Sequence, residues 1–69
     1  MNELMVVFRQ NWLYYKTKQT TCEEAWSEVV RNAEDDGINM DNMKPTAMEL
    51  RDEYGDTIDV IPNCEQMYA

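Results

Sequence analysis

Carboxylates are the most abundant side chains in this sequence that could carry chemistry. The chain has 14 Asp and Glu residues against six Lys and Arg residues, and it has no His. Without His, the commonest general base and metal ligand is missing, so Ser-His, Cys-His and zinc-hydrolase sites cannot be assembled. Two carboxylates can act as acid and base, but fourteen of them offer many arbitrary pairs. We therefore predict no catalytic residues and no enzyme activity.

The segment 34–37 has the oxygen ligands and the glycine of a calcium-binding loop. If Gly37 were the sixth position of such a loop, the twelfth would be Met43, where a bidentate Glu is required. Neither Gly37 nor Gly55 belongs to a phosphate-binding glycine motif. The sequence therefore predicts no metal site and no cofactor, with weak binding of a divalent cation by clustered carboxylates as a minor alternative.

Charge and length bound the class of protein. A formal net charge of -8 makes nucleic acid and anionic membranes poor partners, and it favours a basic protein. Two cysteines, Cys22 and Cys64, match no zinc spacing and are too few for a disulfide framework, so we expect reduced thiols. No signal peptide or membrane span is recognisable, and the cytoplasm is the expected compartment. The 69 residues fit a single domain, with an ordered core over about 3–62 and a loose tail over 63–69.

The elements that must position these side chains begin with two strands. Residues 4–8 and 12–18 have β-favouring compositions, and the three residues between them are few enough for a hairpin. Strand alternation places Trp12 and Tyr14 on the same face of the sheet. If that face is exposed, the two aromatic residues would anchor a protein partner or a twofold self-contact.

A helix is predicted after this hairpin. Thr21 and Glu24 form a capping-box pattern, and Gly37 followed by Ile38 is typical of a helix end. Between these signals, apolar residues recur at helical spacing and should form one buried stripe. The stripe consists of Cys22, Ala25, Trp26, Val29, Val30 and Ala33.

A second, shorter helix and a third strand are predicted in the remaining chain. Thr46 and Glu49 repeat the capping-box pattern, and Gly55 supplies a stop. The buried side of this helix would contain Met43, Ala47, Leu50 and Tyr54. Residues 57–61 have the composition of a strand that Pro62 ends. The predicted fold is therefore α+β, with a small three-stranded antiparallel sheet, two helices on one of its faces and the order β-β-α-α-β.

Acidic residues recur on the outward sides of both predicted helices. Over about 18 Å of the first helix they form a row whose spacing is similar to that of successive phosphates, which suggests imitation of DNA. The candidate partner-binding residues are Glu23, Glu24, Glu28, Glu34 and Asp35 on the first helix, Glu49, Asp52, Glu53 and Asp56 on and beside the second, and the aromatic pair Trp12 and Tyr14. The competing interpretation is that these acids form ordinary solvated helix faces.

In small size, acidity and lack of catalytic groups, the chain resembles phage-encoded inhibitors of host defence, including anti-CRISPR proteins and DNA-mimic inhibitors. The resemblance covers size and composition and includes no motif. It implies a non-enzymatic module that blocks the nucleic-acid-binding site of a basic protein. The alternative is a small structural or accessory protein that associates with itself, for example as a homodimer. Its acidity would then serve only solubility.

Overall fold

The computed structural model describes residues 1–40 and 43–64, which form one four-stranded antiparallel sheet and one helix. The elements are β1 (Asn2–Val7), β2 (Trp12–Thr17), α1 (Cys22–Asp35), β3 (Ala47–Arg51) and β4 (Thr57–Ile61). In the sheet the strands lie in the order β2-β1-β3-β4. The core lies between α1 and one face of the sheet, and no element of the described residues covers the opposite face.

The predicted hairpin of the first two strands is confirmed. β1 pairs with β2 from Asn2 opposite Thr17 to Val7 opposite Trp12. The connecting turn is closed by the Phe8 N–H, which donates to the Asn11 carbonyl at 2.7 Å. Every second side chain along β1 points to the same face of the sheet. This alternation determines which face of the hairpin packs on the core.

The predicted first helix is also confirmed, with the Thr21 side chain as its N-cap and Gly37 at its end. The Thr21 hydroxyl accepts a 3.2 Å hydrogen bond from the Glu24 N–H. At the other end Gly37 has φ +81°, the left-handed conformation that glycine adopts without a steric penalty. The Ile38 N–H then donates to the Ala33 carbonyl at 2.8 Å, as in a Schellman motif.

The predicted second helix is wrong, because this part of the chain forms β3 and a turn, and the order is β-β-α-β-β with four strands and one helix. The N–H and hydroxyl of Thr46 both donate to the Val7 carbonyl, at 2.7 and 3.1 Å, so Thr46 caps no helix. Met48 and Leu50 alternate into the core. Pairing with β1 satisfies the backbone and buries these two side chains, which outweighs a local capping pattern.

The segment 57–61 forms a strand as predicted, and it joins β3 through a tight turn. One Asp52 carboxylate oxygen accepts from the N–H groups of Tyr54 and Asp56, at 2.9 and 3.0 Å. Gly55 has φ +86° within this turn. Two residues assigned to the buried side of a helix are instead exposed: Tyr54 at 83% and Met43 at 46%.

The described chain ends against the sheet. Cys64 is fully buried in the core, and its N–H donates to the Thr46 carbonyl at 2.9 Å. Cys64 belongs to the segment 63–69 that is predicted as a loose tail. The remainder of that segment, 65–69, lies outside the described residues.

Candidate functional site

The first candidate surface is the open sheet face, which is the side of the sheet opposite α1. Trp12, Tyr14 and Val60 are 65%, 58% and 53% exposed on it. Strand register arranges its side chains in three rows across the sheet. The first row is Trp12, Val7 and Ala47, the second is Tyr14, Met5, Glu49 and Val60, and the third is Lys16, Glu3, Arg51 and Thr57.

The charges of the open sheet face are balanced. Lys16 pairs with Glu3 at 3.0 Å, and the Arg51 Nε pairs with a Glu49 carboxylate oxygen at 3.2 Å. Hydrogen bonds from Arg51 and from the Thr57 hydroxyl lower the pKa of the Glu49 carboxyl. The three rows contain two acidic and two basic residues, which sum to zero in a chain of formal net charge -8.

The second candidate surface is the outward side of α1, which carries two acidic clusters. The acidic pair is Glu23 and Glu24, and the acidic triplet is Glu34, Asp35 and Asp36. Glu34 follows Glu23 by eleven positions, and Asp35 follows Glu24 by eleven positions. The two members of each pair therefore lie about three turns and 16 Å apart on one side of the helix. Within residues 1–40 and 43–64, none of these five carboxylates forms an ion pair.

Glu28 differs from the other acids of α1 because it binds the sheet. Its carboxylate accepts hydrogen bonds from the Tyr15 hydroxyl at 2.9 Å, the Gln19 amide at 3.0 Å and the Thr17 hydroxyl at 3.3 Å. The hydrogen bonds from Gln19 and Tyr15 are the main causes that lower the pKa of Glu28. Burial and the nearby Glu28 carboxylate raise the pKa of Tyr15. Glu28 therefore holds β2 against α1.

The remaining acids lie in and beside the β3–β4 turn. The carboxylate of Asp52 accepts backbone N–H groups of that turn, and Glu53 lies 3.7 Å from the N-terminal ammonium. Asp56 is exposed there. Asp59 points towards α1, where one of its oxygens accepts the Cys22 N–H at 2.7 Å.

The predicted partner-binding residues are thus divided among the two sides of the sheet and the β3–β4 turn, which contains Asp52, Glu53 and Asp56. Trp12, Tyr14 and Glu49 lie on the open sheet face, and the acids of α1 lie beyond the covered face. The sequence interpretation missed the place of Met5 and Val60 on the open sheet face. Alternation along 47–51 could have revealed this face, but the capping pattern before it favoured a helix.

The described residues offer little for covalent chemistry. A depression of about 400 Å³ on α1 is lined by Gln19, Glu23, Glu24, Ser27, Glu28 and Arg31. The Ser27 hydroxyl in this depression donates to the Glu23 carbonyl at 3.0 Å. Cys22 is fully buried, and burial, followed by the effect of Asp59, raises the pKa of its thiol to about 12. Burial also raises the pKa of Cys64.

Residues 1–40 and 43–64 contain no group of three or more His, Cys, Asp or Glu side chains that could hold a metal ion. Their one helix, α1, is not long and apolar enough to cross a membrane.

The comparisons with known proteins provide no family for this chain. The sequence matches no family model and no curated protein, and the fold matches no solved structure. The open sheet face and the outward side of α1 are therefore the features of this chain that bear on its function.

Proposed function

We propose that this chain is a non-enzymatic protein-binding module that presents the acidic pair and the acidic triplet of α1 to a basic protein. The observation that supports this proposal is the contrast between two kinds of acid. Glu3, Glu28 and Glu49 are engaged by neighbouring side chains. Among the described residues, the five acids of the two clusters are exposed and have no such partner.

The position of the acidic triplet adds a second argument. Glu34, Asp35 and Asp36 lie at the C-terminal end of α1, and its last turn contains no basic residue. Negative charge at this end is unfavourable because the helix dipole is negative there. The triplet therefore costs helix stability, and binding of a cationic partner would offset that cost.

The spacing of the clusters indicates what kind of partner they fit. They lie on one side of α1 about 16 Å apart, with Arg31 between them. The two acidic clusters are complementary to a protein surface that has two basic patches at the same separation. Proteins that hold a nucleic-acid backbone have basic surfaces of this kind. The proposed activity is competition with nucleic acid for that surface. The resemblance to phage-encoded inhibitors belongs to this proposal, as does a reducing compartment such as the cytoplasm for the free thiols.

The proposal is tested by capture on the immobilised chain from a lysate of the cells in which it occurs. We expect basic nucleic-acid-binding proteins to be retained at about 0.05 M salt, and to be released at about 0.5 M salt because screening weakens exposed charge pairs. Added duplex DNA should release the same proteins. Retention that duplex DNA does not change would reject a nucleic-acid-binding site as the target.

Two double variants with the same change in net charge make the test specific to α1. Glu24→Gln with Asp35→Asn removes one charge from each acidic cluster. Glu53→Gln with Asp56→Asn removes two charges from the β3–β4 turn. We expect the first variant to lose most of the retained protein and the second to keep it. Equal losses would mean that only net charge matters, against a site on α1.

A further inference from the structure

We infer that the open sheet face docks a second copy of this chain, face to face. The first two rows of the face present mainly apolar side chains, interrupted by Glu49 between Met5 and Val60, and Trp12, Tyr14 and Val60 are more than half exposed. No described element covers it, because α1 packs on the other side. Exposed aromatic and aliphatic side chains grouped in this way are typical of a protein interface.

The charge distribution favours a second copy of this chain as the molecule that binds the open sheet face. The open sheet face sums to zero charge, so the whole net charge of -8 lies elsewhere on the chain. Two copies that meet through this face bring no excess of like charge together, and their acidic helices point away from each other. A basic partner would find no excess negative charge on this face, and its electrostatic attraction is directed to α1.

The strand order makes the open sheet face complementary to itself. A twofold axis parallel to the strands, between β1 and β3, reverses the order β2-β1-β3-β4 in the second copy. Tyr14 then lies opposite Val60 of the partner subunit, and Val7 lies opposite Ala47 of the partner subunit. Met5 lies opposite Glu49 of the partner subunit, whose carboxylate carries the hydrogen bonds from Arg51 and Thr57.

The charged row follows the same symmetry. Across the sheet it contains Lys16, Glu3, Arg51 and Thr57. After reversal, Glu3 lies opposite Arg51 of the partner subunit, and the symmetric contact repeats this pair. Lys16 lies opposite Thr57 of the partner subunit, so no like charges meet. Two sheets packed in this aligned way stack about 10 Å apart.

The size of the face limits the stability of this dimer. Four strands at about 4.8 Å spacing and five residues at about 3.4 Å rise give a face of roughly 19 by 17 Å. Such a face is small beside the roughly 800 Å² per partner of a standard interface. We therefore expect a dimer that dissociates on dilution.

Sedimentation equilibrium of the full chain over roughly 10 μM to 1 mM tests the inference, because weak dimers dissociate in this range. The expected result is a mass that rises with concentration from 8.2 kDa towards twice that value. A mass of 8.2 kDa at every concentration would overturn the inference. The open sheet face would then be a binding surface for a different protein.

Matched variants locate the interface. Val60→Asp replaces an exposed apolar side chain of the face by a charge and should weaken the dimer by about 10-fold or more, because a buried unpaired charge is costly. Ile38→Asp adds the same charge beside α1, at a side chain of similar exposure, and should leave the dimer unchanged. Tyr14→Ser and its control Tyr54→Ser form a second pair that adds no charge, with Tyr54 in the β3–β4 turn. Denaturant unfolding of all four verifies the fold, and a dimer that survives both face variants would exclude this face.

The response to salt separates this inference from the proposed function. Salt screens the repulsion between two chains of charge -8, so the dimer should strengthen as salt rises. Binding of a basic protein to α1 should weaken over the same range. A dimer that weakens with salt would contradict the balanced open sheet face, whatever the result of the capture experiment.

Discussion

Asp59 on β4 caps the N-terminus of α1, because one of its carboxylate oxygens accepts a 2.7 Å hydrogen bond from the backbone N–H of Cys22. The two residues are 37 positions apart in the chain. The first N–H groups of a helix have no partner within the helix, and the dipole favours a negative charge there. This contact therefore provides a partner for one N–H group of the helix end and also holds β4 against α1.

Replacing Asp59 should test this long-range cap. We predict that Asp59→Ala lowers the free energy of unfolding by about 0.5 to 2 kcal/mol, the usual cost of losing a capping side chain. Asp56→Ala removes an exposed Asp of the neighbouring turn and should change stability by less than about 0.5 kcal/mol. Urea unfolding followed by circular dichroism measures both. Equal effects of the two variants would show that the contact with Cys22 contributes nothing.

Glu28 should make stability depend on pH. Its pKa is lowered in the folded chain from an ordinary value of 4.5 by hydrogen bonds from Gln19, Tyr15 and Thr17. A lowered pKa stabilises the fold above the ordinary value, and this contribution is lost as pH falls through the folded pKa. We predict that Glu28→Gln is less stable than wild type at pH 7 and that the difference shrinks below pH 4.5.

Thermal unfolding from pH 7 to pH 3 measures that difference. Glu24→Gln is the control, because it removes an exposed carboxylate of the same helix that accepts no side-chain hydrogen bond among the described residues. Its difference from wild type should change less over this range than that of Glu28→Gln. A constant gap between Glu28→Gln and wild type across this range would be evidence against the hydrogen-bonded carboxylate.

The two tryptophans lie on opposite sides of the sheet and should respond differently to removal. Trp26 is 8% exposed, and its ring meets that of Phe8 edge-on with centroids 6.4 Å apart. Trp26→Ala should cost about 3 to 5 kcal/mol of stability. Trp12 is 65% exposed, and in the dilute monomer Trp12→Ala should cost less than about 0.5 kcal/mol. Denaturant unfolding at low protein concentration compares them, and full stability of Trp26→Ala would refute this placement.

Leu50 and Tyr54 distinguish the observed strand from the predicted helix. The helical prediction buries both residues, whereas the structure buries Leu50 completely and leaves Tyr54 83% exposed. Leu50→Ala should therefore cost about 2 to 5 kcal/mol. Tyr54→Ala should change stability by less than about 0.5 kcal/mol. If chemical denaturation gave large losses for both variants, β3 would be assigned incorrectly.

The hairpin and α1 were predictable because their signals are local. The Thr21 cap, the apolar stripe and the Gly37 stop all lie within the helix or beside its ends. The local signals of β3 conflict, because the alternation along 47–51 fits a strand and the spacing of Ala47, Leu50 and Tyr54 fits a helix. Only contact with β1, about 45 residues earlier in the chain, decides between a helix and a strand.

The sequence by itself determined the charge, the lack of His, the caps of α1 and the common face of Trp12 and Tyr14. These properties depend on residue type or on spacing within one element. Tertiary structure alone decided which acids are engaged and which remain exposed. It turns Glu28 towards β2 and Asp59 towards Cys22, and it leaves Glu34 and Asp35 outward. The physical reason is that hydrogen bonding and burial depend on neighbours in space, which β pairing brings from distant parts of the chain.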